Sequence, residues 1–174
     1  MEDESRVYQR IGEFVVSFQW IENKLREIGW FIIDPERVVW PPEKLRNIRN
    51  EELVDRVHEM FIQAISKCAL GSDQEQEFKV SFDSCAKDLH ELRISRNNIL
   101  HSAFIEFKAG GVVQGLLRSS PKMKINEESG EPIFDQEFLT PDSFEQDMKK
   151  MGEAAFFLNR AYTQLIHRYP QENA

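Results

Sequence analysis

Apolar residues near the start of the chain recur at a spacing that admits one kind of local structure. Val7, Ile11, Phe14, Phe18, Ile21, Leu25, Ile28 and Ile32 step by four, three, four, three without a miss. Steps of that size keep side chains on one face of an α-helix, so the pattern predicts a long first helix with a single buried stripe. Trp20 and Trp30 widen its apolar surface. The helix should stop near Asp34, because Pro35 disfavours helical geometry in the residue before it.

The same period returns three more times. Leu53, Val57, Met60, Phe61, Ala64 and Cys68 define a second helix, expected to end at Gly71, where glycine tolerates positive φ. Phe78, Phe82, Cys85, Leu89 and Leu92 define a third. The fourth opens at Thr140 as cap with Pro141 in the first helical position, and Asp142 and Glu145 suit the positive end of its dipole. Its stripe is Phe144, Met148, Met151, Ala155, Leu158, Tyr162, Leu165 and Tyr169. The four helices are expected over residues 5–33, 51–69, 74–100 and 142–168. The proline-containing stretch after the first helix, with Arg37, Lys44, Arg46 and Arg49, reads as a connector.

Between the third and fourth helices the period changes. Apolar runs broken by Gly110-Gly111 and Ser129-Gly130 predict turns and two or three short strands within 103–137. The fold class expected is therefore all-α: an up-and-down four-helix bundle carrying a small β-hairpin insertion. A chain of 174 residues suits one domain, taken as 1–174. No apolar run approaches the roughly 20 residues of a membrane span. The acidic start and two cysteines without metal-type spacing fit a cytoplasmic protein whose Cys68 and Cys85 are reduced and buried. A net charge of −8 argues against whole-surface nucleic-acid binding but leaves room for a local basic groove.

One residue breaks the third stripe. Past Leu92 the next inward position is Arg96, followed by Ile99. A guanidinium keeps its proton inside a protein, so burying it without a partner is costly. Arg96 must face a solvated cleft or an anion. Asn97 and His101 are four apart, hence neighbours on a helix. Histidine ordinarily titrates near neutral pH, so one ring can accept and donate a proton. Taken alone, an arginine and a histidine at a helix end are commonly a cap and a surface ion pair. Other chemistry lacks its parts. His58-Glu59 has no second histidine at zinc-protease spacing, Cys85 and His90 make a poor metal set, and no glycine-rich phosphate loop precedes a helix. No metal and no cofactor is expected.

The hexapeptide from Arg96 to His101, RNNILH, resembles the signature of the HEPN superfamily, an arginine followed by a polar residue and then a histidine four to six residues on, late in a long helix. The resemblance extends to the general layout of most of the chain, a long first helix and a hairpin leading to a last helix. It implies a metal-independent endoribonuclease, usually homodimeric, leaving 2′,3′-cyclic phosphate ends. Such proteins place two motifs across one cleft. By this resemblance Arg96 would bind phosphate, Asn97 would orient, and His101 would move the proton. Lys108, Arg118, Lys122 and Lys124, with no acid between Phe107 and Asn126, make a candidate RNA track. Solvated lysines on a hairpin explain that run equally well. Trp20, Trp30, Phe31, Phe156 and Phe157 are candidates for the dimer contact. The resemblance also fits the toxin or effector half of a defence or toxin–antitoxin system, with an antitoxin or regulatory protein as a further partner. The alternative is a non-catalytic helical interaction module of the same fold that binds a partner protein, RNA or nucleotide.

Overall fold

The computed structural model describes residues 2–38, 43–110, 112–126 and 130–170. The chain is mostly helical, with one three-stranded antiparallel sheet between its last two long helices. The long helices are α1 (Glu2–Ile33), α3 (Asn50–Ile65), α4 (Ser72–Leu100) and α5 (Glu145–Arg168). A single-turn α2 (Glu43–Arg46) lies within the segment expected as a connector. Residues 39–42 of that segment, with Pro41 and Pro42, lie outside the described residues. Among the described residues no helix is long and apolar enough to cross a membrane.

The second predicted helix ends earlier than expected. After Ile65 the amides of Lys67 and Cys68 reach back only three residues, to the carbonyls of Ala64 and Ile65, and this tight turn closes α3. Gly71 does not take positive φ. Its carbonyl instead accepts from Glu75 N–H at 2.9 Å and opens α4.

Two compact units make up the chain, and the points where the chain passes from one to the other fall inside α1, α4 and α5. One unit, residues 18–93 and 150–174, is helical. Its interior is aromatic. Phe61 stands edge-on to Phe82 at 4.7 Å between ring centroids, and Phe157 meets Phe61, Phe78 and Phe82 at 5.4–6.4 Å. Side-chain contacts join α3 to α4: Glu51 pairs with Arg93 at 3.3 Å, and hydrogen bonds link Asp55 to His90 at 2.9 Å and His58 to Asp83 at 2.7 Å.

Within this unit the buried positions of α5 are Met151, Ala154, Leu158, Ala161 and Leu165. The stripe expected from the larger side chains, Ala155 excepted, ran through Tyr162 and Tyr169 instead. The small residues at 154 and 161 take the buried positions, where close packing leaves little room, and the tyrosines beside them pack on Phe31. Phe31 and Phe157, two candidates for a dimer contact, point inward. Trp20 and Phe156 are exposed, Phe156 at 74%.

The other unit, residues 1–17 and 94–149, holds the start of α1, the end of α4 and the sheet. Strands β1 (Ala103–Ala109), β2 (Val112–Ile125) and β3 (Pro132–Leu139) lie in the order β1-β2-β3. β2 is longer than the short strands expected, and its pairing slips between Ser119 and Met123. Gly110 and Gly130 sit at φ 61° and 69°, a region that favours glycine. Gly111 and Ser129, their expected turn partners, lie outside the described residues.

The alternation of the strands sorts the sheet into two unlike faces. Leu116, Arg118 and Leu139 are buried on one. On the other, Ile105 pairs with Leu117 and Leu117 with Phe138, while Phe107 stands opposite Gly115. Phe107 and Phe138 meet edge-on at 6.1 Å, and Ile105, Phe107 and Phe138 are exposed. A Cβ on residue 115 would lie 2.3 Å from the Phe138 ring, so only glycine admits that ring at its present position. The last helix is entered through a 3-10 turn, Pro141–Phe144, with Thr140 N–H donating to Ser143 Oγ at 3.0 Å. Phe144 packs on Phe14.

Candidate functional site

The stripe of α4 runs Phe78, Phe82, Cys85, Leu89, Leu92 and Ile99, all buried, and Arg96 takes the position between the last two. Arg96 is half-buried. Its Nη1 donates to Oδ1 of Asn97 at 3.0 Å. Adjacent residues on a helix diverge in direction, so this bond requires the long arginine side chain to curl back over the helix surface.

His101 is the first residue beyond α4, and its amide still donates to the Asn97 carbonyl at 3.0 Å. Asn97 therefore contacts both partners, Arg96 through its side chain and His101 through its backbone. The ring of His101 belongs to an exposed residue. With helical geometry kept to this point, Arg96 and His101 emerge about 140° apart around the axis and about 7.5 Å apart along it.

The candidate RNA track looks different in three dimensions. Lys108 is exposed and pairs with Glu106 at 3.0 Å. Arg118 is buried. Its Nε meets Glu137 Oε2 at 3.0 Å, its Nη2 meets Asp135 Oδ1 at 3.4 Å, and its Nη1 donates to Ser102 Oγ at 3.3 Å. The run from Phe107 to Asn126 lacks acids in sequence, yet β3 supplies two of them across the sheet. The side chains of Lys122 and Lys124 lie outside the described residues.

Sequence reasoning also passed over Ser102 as a site residue. Besides accepting from Arg118, its hydroxyl donates to the carbonyl of Asn98, one of the last open carbonyls of α4. The signal available in sequence was its place directly after His101, where a short polar side chain suits a helix end.

Among the connector cations, Arg37 has left-handed backbone geometry, φ 57°. Its guanidinium lies over Trp30 and Tyr162, 5.2 and 5.5 Å from their centroids. A hollow of about 410 Å³ in the sheet-bearing unit is lined by Arg6, Val7, Gly115, Leu139, Thr140, Pro141 and Asp142, and includes none of Arg96, Asn97 or His101. Both cysteines are free and buried. Burial, with Asp88 adding to it, pushes the Cys85 thiol up to about 12, and burial raises Cys68 as well. Among the described residues no three histidine, cysteine or acidic side chains gather into a metal-binding group.

No family model, curated protein or solved structure matches this chain.

Proposed function

We propose that the chain is a metal-independent endoribonuclease of HEPN type, its four long helices forming an up-and-down bundle and its site made by Arg96, Asn97 and His101. The observation that carries this is the half-buried Arg96 in the inner stripe of α4, bonded to Asn97 and five residues before His101.

RNA brings its own nucleophile. The 2′-hydroxyl attacks the adjacent phosphorus, the bond to the 5′-oxygen breaks, and the products are a 2′,3′-cyclic phosphate and a 5′-hydroxyl. The protein must move a proton and stabilise charge on the pentavalent phosphorus. His101 moves the proton, an exchange worth about 10²–10⁴-fold in rate. Arg96 binds the phosphate oxygens through its planar fork, which lysine does not reproduce. Asn97 holds the Arg96 guanidinium.

The angular separation of Arg96 and His101 favours a site completed by a second copy, so that the phosphate sits between one motif and the next. A homodimer is therefore part of the proposal. A monomer at tens of micromolar in sedimentation would remove it. Activity as the toxin or effector of a defence system, checked by an antitoxin or regulatory protein, belongs to the same proposal.

The testing experiment incubates purified protein with mixed RNAs in a chelator. Wild-type protein cuts, and His101→Ala binds RNA without cutting. RNA bound but never cut by the wild type would transfer the site to the interaction-module reading. A requirement for magnesium would end the mechanism.

A further inference from the structure

We infer that Arg118 is a positioning residue for His101, acting through Ser102; this rests on the ribonuclease reading for its effect on rate, though not for its effect on the histidine. The guanidinium uses all three of its nitrogens. Two are fixed by Glu137 and Asp135 on β3, and the third reaches Ser102 Oγ at 3.3 Å. With its side chain only 7% exposed, Arg118 has little freedom to leave these partners. Ser102 in turn donates to the Asn98 carbonyl, inside the motif itself. His101 is thereby held on both sides. Its own amide is bound to Asn97, and the next residue is tied to the sheet. An exposed ring is placed first by its backbone, so the place from which the imidazole projects depends on this chain of contacts.

Charge alone would make Arg118 a phosphate ligand. Geometry gives it another task. A buried fork already facing two carboxylates and a hydroxyl is poorly accessible to RNA, whereas removing it releases the segment that follows His101. Displacement of a reacting group by about 1 Å can cost about 100-fold in rate.

The chain contains four histidines, which makes the ring Cε1–H signals in a carbon–proton NMR spectrum separable. Ser102→Ala and Arg118→Lys are compared with wild type, and His101→Ala assigns the signal. The expected result is a shifted or broadened His101 signal in both variants, with those of His58, His90 and His167 unmoved. In the cleavage assay kcat falls about 10- to 100-fold while KM and RNA binding stay near wild type. Ser102→Ala removes one hydroxyl and keeps the test decidable if Arg118→Lys does not fold. An unmoved His101 signal in folded Ser102→Ala overturns the inference whether or not the wild type cuts RNA. A displaced signal with no wild-type cleavage upholds the positioning and ends the ribonuclease reading. A rise in KM with kcat unchanged would make Arg118 an RNA contact and also overturn it.

Discussion

The helical unit and the sheet-bearing unit hold themselves together by different means. In the first, phenylalanines fill the interior, Glu22 is also buried, and the paired side chains of α3 and α4 stay partly exposed. In the second, a buried arginine holds two half-exposed carboxylates, while Ile105, Phe107, Ile125, Ile133 and Phe138 of the sheet are exposed. Non-directional apolar packing tolerates small shifts of its parts, whereas an arginine fork fixes direction. The candidate site adjoins the second kind of structure.

Substitutions in each unit test this contrast. The largest expected effect on stability is in the aromatic interior. Phe61→Ala, at a fully buried ring, should cost about 3–5 kcal/mol in urea unfolding. Arg118→Ala should cost less, about 1–3 kcal/mol, because Asp135 and Glu137 can recover water once their partner is gone. A loss above that of Phe61→Ala would make the polar network the main source of stability and reverse the comparison.

Gly115→Ala should cost about 1 kcal/mol, at the low end for overpacking, since the Phe138 ring is able to swing into solvent. Adding Phe138→Ala should return most of that loss, measured by thermal melts of the single and double variants. The smallest effect concerns Cys85. Its thiol is raised in the folded chain from 9.0 to about 12, so the folded state favours the protonated form. Its contribution to stability is full below pH 9.0 and is lost as pH rises toward about 12. At pH 8 the native thiol should resist a disulfide reagent and react only after unfolding. Rapid native reaction would contradict its burial.

The helices were legible because a buried stripe repeats locally, and Arg96 was legible because it interrupts one. The contacts of Arg118 were not, since Glu137 is 19 residues away and reaches it only through the register of β2 with β3. A charge count along the chain sees Lys108 to Lys124 as free of acid, while the sheet lays Asp135 and Glu137 beside Arg118. The α5 stripe misled for a related reason. Size drew attention to Tyr162 and Tyr169, and close packing chose Ala154 and Ala161. The early end of α3 depended on a three-residue hydrogen-bond turn that no residue type announces.

The central claim is that Arg96 and His101 cut RNA without a metal, and the end groups of the products test it most directly. RNA is incubated in chelator with wild-type protein, with Arg96→Lys and with His101→Ala, and the new 3′ ends are identified. The wild type should leave 2′,3′-cyclic phosphate, and His101→Ala should lose about 10²–10⁴-fold in rate with RNA binding retained. Arg96→Lys should be nearly inactive because a point charge cannot bind phosphate in two-pronged fashion. Cleavage leaving 3′-hydroxyl ends, or undiminished in both variants, would contradict it.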